Sequence, residues 1–94
     1  MNERRIHEIK SWPEPFAAHV ADELVAEHRY DGDRKFARGD LLRLQEFDPQ
    51  TATYTGEQCW AHILYVQRAP AWGIRNGYCV LSLEHIDAPD RGTE

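Results

Sequence analysis

The chain has 94 residues and a formal net charge of −5, the length of one domain with no room for a second core. Its apolar and aromatic content is that of a folded protein rather than a disordered one, and the acidic balance excludes indiscriminate nucleic-acid binding while leaving room for a local basic patch. Charge is uneven: Met1 to Arg43 carries eight of the eleven Lys and Arg, so an anion site is expected in the first half.

The first element, within "RRIHEIK", alternates weakly and predicts a strand at Ile6–Lys10. "SWPEPFAAHVADE" predicts a helix: Ser11 and Glu14 have capping-box spacing, and Pro13 and Pro15 fall in a first turn, where a missing N–H costs little. Phe16, Val20 and Leu24 recur at helical spacing as its apolar stripe. "LVAEHRY" predicts a strand at Leu24–Tyr30, and "DGDRKFARGD" a loop turning at Gly32 and Gly39. "LLRLQEF" predicts a strand at Leu41–Phe47, "DPQTATYTG" a polar connection, and "EQCWAHILYVQ" the longest strand, Glu57–Gln67. "RAPAWGIRNG" reads as a loop and "YCVLSLEHI" as the last strand, Tyr78–His85. The expected organisation is a single domain over residues 1–88 with a flexible tail at 89–94. Five strands and one main helix, placed between the first two strands, suggest a mixed β fold closed into a small barrel. Closure would remove edges that an open five-stranded sheet must protect.

No apolar run is long enough to cross a membrane and no signal peptide is apparent, which points to a soluble cytoplasmic protein with no membrane partner. Cys59 and Cys79 lack the paired spacing of a zinc knuckle and read as reduced, small apolar residues. His7, His19, His28, His62 and His85 are scattered, with no pair at ligand spacing within one element, so no metal and no cofactor is expected. No Gly-rich phosphate loop or nucleophile elbow is present.

The densest charge lies in "VAEHRYDGDRKFARGD", Val25–Asp40. Period two puts Val25, Glu27 and Arg29 on one face, with Leu24, Ala26, His28 and Tyr30 on the other. Glu27 and Arg29 are either a solvated ion pair worth ~0.5 kcal/mol or a pair at a barrel mouth, each orienting the other toward a ligand. Of the three tryptophans, Trp60 reads as core, while Trp12 and Trp72 are better placed to stack on bases.

"IHEIKSWPEPF", "EHR", "DRKFARGD", "EFDPQTATYTG" and "GYCVLSL", in this order, resemble domain-of-unknown-function family 3850, a bacterial and phage family of the ASCH group in the PUA-like superfamily. The resemblance runs from Ile6 to about Ile86. It implies a PUA-like (ASCH-type) five-stranded β-barrel with a cleft beside the helix, assigned to RNA or nucleotide binding. It also implies that Glu27 and Arg29 match an E-x-R strand facing that cleft. ASCH proteins commonly carry G-x-K just before this strand, and some use that lysine to deacylate a modified nucleoside. Here Asp22 stands at the glycine and Leu24 at the lysine, and a leucine can neither move a proton nor attack.

The expected function is therefore non-catalytic binding of RNA or a nucleotide-like ligand, with no catalytic residue. Lys10, Arg29, Arg34 and Lys35 would contact phosphate, Trp12 would stack, and Glu27 would accept from a base edge or orient Arg29. One alternative is a small amidohydrolase of modified nucleosides using Lys10 or Lys35. Another is a phage or mobile-element accessory protein that acts through a protein partner.

Overall fold

The computed structural model describes residues 4–32 and 34–89. It is mostly β, with five strands in one curled sheet and one helix. The elements are β1 (Ile6–Ser11), α1 (Pro13–Val20), β2 (Ala26–Tyr30), β3 (Leu41–Asp48), β4 (Thr53–Arg68) and β5 (Tyr78–Ile86), with a short 3-10 turn at Ala71–Gly73. The strand order is β1-β3-β4-β5-β2. β1 runs parallel to β3; the other pairs are antiparallel.

Alternation explains the faces. In β1, His7, Ile9 and Ser11 are buried while Ile6, Glu8 and Lys10 are exposed. Ile9 pairs with Leu44, and Leu44 with Cys59, so one inward row crosses three strands. Phe16 from α1 and Phe36 from the loop between β2 and β3 close the concave side over Leu42, Leu44, Ile63 and Leu81. Each such side chain contributes roughly 1.5–3 kcal/mol on burial. Register shifts at Gln45/Phe47 and Ile63/Tyr65 break the two long hairpins, and such bulges sharpen local twist and help the sheet curl.

The curl makes a half-barrel. Among the described residues no ladder joins β1 to β2, the two edge strands. Side chains span the gap instead. Arg29 Nη2 donates to the carbonyl of Lys10 (2.8 Å) and Arg34 Nη1 to that of Glu8 (3.1 Å). These two carbonyls lie two residues apart, so they leave β1 on the same side, away from β3. The edges expected to pair are thus bridged by guanidinium groups.

The helix differs from the sequence expectation at both ends. Its N-cap is Trp12, with no side-chain capping bond. Ser11 belongs to β1, opposite Glu46, is buried by the alternation of that strand, and makes no capping bond. At the other end the helix stops at Val20. Asp22 adopts φ +60, its N–H donates to the carbonyl of His19, and that of Glu23 donates to Ala18. This is a Schellman stop. Leu24 therefore lies outside the helix and Val20 is exposed; the buried helical face is Phe16 with His19. β4 begins at Thr53, four residues before the expected start, so the last four residues of the polar connection, Thr53 to Gly56, are strand. The 89–94 tail lies, from residue 90, outside the described residues.

Candidate functional site

The end of β1, the start of α1 and β2 enclose a cleft of about 360 Å³, lined by Lys10, Ser11, Trp12, Pro15, Glu27, His28 and Arg29. A second compartment, about 490 Å³, adjoins it along Lys10 and Arg29 and adds Ile9, Tyr30, Arg34 and Phe36. Both volumes fall in the range of small-ligand sites. A larger hollow, about 630 Å³, lies by Phe16, Val20, Trp60 and Ile86; among the described residues no Lys or Arg lines it, while Glu57 and Asp87 do.

Glu27 anchors the first compartment. Its side chain is 9% exposed. Oε2 accepts from His19 Nε2–H at 2.6 Å and Oε1 from Arg29 Nε–H at 2.8 Å. Burial alone pushes this carboxyl up; the His19 hydrogen bond and the Arg29 charge outweigh it, so the group sits below the usual carboxylate range. The pair is therefore no solvated surface contact, because one partner is buried.

Arg29 is fixed at two points, Glu27 and the Lys10 carbonyl. Of its five N–H donors, three remain. A guanidinium held this way is prepared for an anion without paying much further side-chain entropy. Beside it, Lys10 lies with Nζ 4.2 Å from the centre of the Phe47 ring. Trp12 is 57% exposed. Ser11 is 2% exposed and, among the described residues, its hydroxyl has no hydrogen-bond partner; a buried polar atom left so is costly unless a ligand or water completes it.

Behind Glu27 runs a chain of hydrogen bonds to the surface. His19 Nδ1 lies 2.9 Å from His85 Nε2, and His85 Nδ1–H donates to Asp22 Oδ1 at 2.8 Å. Ionised carboxylates only accept, so both outer ring nitrogens carry protons. The two imidazoles are thus set between two carboxylates, Glu27 inside and Asp22 outside. His19 is 1% exposed, whereas the Asp22 side chain faces solvent.

Of the residues expected to bind, the structure brings Lys10, Trp12, Glu27 and Arg29 to one compartment, and Arg34 to the next. Lys35 lines neither; it holds φ +52, and its carbonyl accepts from Arg5. Trp60 is buried and Trp72 is open to solvent. Pattern missed Ser11 as a cleft residue, and it missed His19, His85 and Asp22. For His19 a signal existed: it falls three residues after Phe16, on the same helical face. Among the described residues no cluster of His, Cys, Asp and Glu has the geometry to hold a metal.

The family model described as Domain of unknown function (DUF3850) matches residues 6–83. The chain belongs to the DUF3850 family. The match takes in every residue of the DUF3850 cleft, while His85, the third member of the chain behind Glu27, lies just past it. No curated protein matches the chain.

Proposed function

We propose that the cleft binds a nucleotide, free or as part of an RNA, and holds it without reacting on it. The observation that carries this is the unpartnered, buried Ser11 hydroxyl in a compartment where a fixed guanidinium, a lysine and an exposed tryptophan converge. Arg29 and Lys10 take the phosphate, Trp12 takes a base face, and the free lone pairs of Glu27 accept from a base edge. A half-barrel with its helix between the first two strands, and Glu27 and Arg29 paired at the cleft, supports kinship with ASCH proteins of the PUA-like superfamily. The lysine that some of those proteins use is Leu24 here. The hydrolase alternative runs through Lys10, which borders the cleft, and not through Lys35.

Calorimetric titration with the four nucleoside monophosphates tests the reading. Binding is expected to weaken about tenfold in Trp12→Leu, as for loss of one base–aromatic stack, and to weaken with added salt. The absence of binding to any monophosphate or short RNA would refute it. Acetate release from an N-acetylated cytidine that disappears in Lys10→Gln would replace it with the hydrolase.

A further inference from the structure

On the convex side of the sheet the outward residues of β2 and β5 form an aromatic cluster. Tyr30 and Tyr78 are register partners; their ring centres lie 5.3 Å apart, edge to face. The His28 ring lies 5.4 Å from that of Tyr78 on the same face. Arg75 sets its guanidinium 4.9 Å from the Tyr78 ring centre, and among the described residues no carboxylate pairs with it. We propose that this cluster is a stacking platform for single-stranded RNA, the continuation of the cleft onto the sheet face.

Tyr30 carries the argument. It is 61% exposed, yet its ring is held in place. A Cβ on Gly32 would overlap the ring, and one on Gly77 would come within 2.9 Å of it. Gly32 and Gly77 have φ +30 and +87, so two glycines approach the ring where a side chain would evict it. The Asp31 N–H donates to the Gly77 carbonyl at 2.7 Å and ties the two turns together. An exposed tyrosine in a core-building role would turn inward. This one presents a fixed aromatic surface to solvent, which is what stacking a base requires.

Position gives the occupant. Tyr30 also borders the second compartment, beside Lys10, Arg29 and Arg34, and His28 borders the first, beside Trp12. The aromatic surface is therefore continuous with the cationic cleft on one side and meets Arg75 on the other. Cations flanking a row of rings suit a strand whose phosphates alternate with stackable bases. The platform rests on the cleft reading for the place where the strand begins.

The test compares uridine monophosphate, by calorimetry, with a labelled octauridylate, by fluorescence anisotropy. The octamer is expected to bind at least tenfold more tightly than the monophosphate. Tyr30→Leu should remove about tenfold of that gain, the loss of one stacked base, and Tyr30→Phe should keep it. Arg75→Ser, an exposed change that keeps the test alive if Tyr30→Leu misfolds, should also narrow the gain. Monophosphate binding with no gain on lengthening overturns the platform and leaves the cleft standing. Octamer binding that depends on Tyr30 but is unchanged in Trp12→Leu, without monophosphate binding, supports the platform and overturns the cleft. Tighter binding of octathymidylate than of octauridylate overturns the assignment to RNA, and capture of a protein with no octamer binding overturns the platform.

Discussion

Glu27→Gln separates the charge of Glu27 from its shape. Glutamine fills the same volume, so no cavity forms. Arg29 can only donate, so the amide oxygen must face it, and the amide NH2 then faces His19. His19 Nε2 must become an acceptor. Its Nδ1–H then donates to His85 Nε2, and His85 still donates to Asp22. Every hydrogen bond survives, but the His19 bond loses its carboxylate partner and the Arg29 bond keeps only its cationic donor. Charge-assisted bonds contribute ~1.5–3 kcal/mol each against about 1 for neutral ones, so the expected cost is about 2 kcal/mol, or about 10 °C in Tm for a domain of this size. Glu27→Ala, which leaves the buried His19 ring and Arg29 without their shared carboxylate, should cost ~3–5 kcal/mol. Because folding lowers the Glu27 carboxyl, its stabilisation is complete above the unfolded carboxylate value of about 4.3 and is lost as pH falls through the lower folded value. Asp40 is also lowered, against burial, by hydrogen bonds from His7 and the N–H groups of Arg5 and Ala37, but it is common to both proteins and cancels in the difference. Urea unfolding of wild type and Glu27→Gln at pH 7 and pH 3 should show a gap that closes in acid. Equal stability at pH 7, or an undiminished gap at pH 3, would refute the buried network.

Two further outcomes follow from geometry. Asp22 combines a left-handed backbone with a bond to His85; Asp22→Ala loses both and Asp22→Gly only the bond, so by thermal melts the alanine variant should be the less stable by about 1 kcal/mol. Burial, with the Asp31 carboxylate nearby, pushes the Cys79 thiol up to about 11, so a thiol titration at pH 8 should leave Cys79 unmodified until denaturant is added, and fast labelling of the native protein would contradict its burial.

How much was legible in the sequence depended on whether a feature was local. β4 and β5 were readable because they carry dense apolar runs, whereas "IHEIK" alternates only weakly, its Ile6 facing out and its Ile9 in. Glu27 and Arg29 were readable as a pair because they lie two apart on one strand. The end of the helix was not: Val20 and Leu24 continue the apolar spacing past Asp22, and nothing in the pattern says that Asp22 takes a left-handed conformation. Ser11 looked like a cap because its spacing to Glu14 fits one, but the strand before it fixes which way it points. His19 and His85 meet only because α1 packs across the sheet beside the end of β5, a juxtaposition that no spacing within one element encodes. Open or closed, the barrel offers the same strand pattern. What decides is that the β1 edge is met by guanidinium groups rather than by a strand.

The strand order also sets when the cleft can exist during synthesis. β1 and β2 are neighbours in sequence but occupy opposite edges of the sheet, and β2 has only β5 to pair with, Ala26 beside Ser82. While the ribosome adds everything between, Glu27 and Arg29 sit on a strand with no ladder, and the glutamate cannot be buried. Closing so long a loop before any contact repays it is slow. The cleft is thus among the last features a nascent chain acquires, and a destabilising change in β5, far in sequence from every cleft residue, would erase it as surely as a change in the cleft itself.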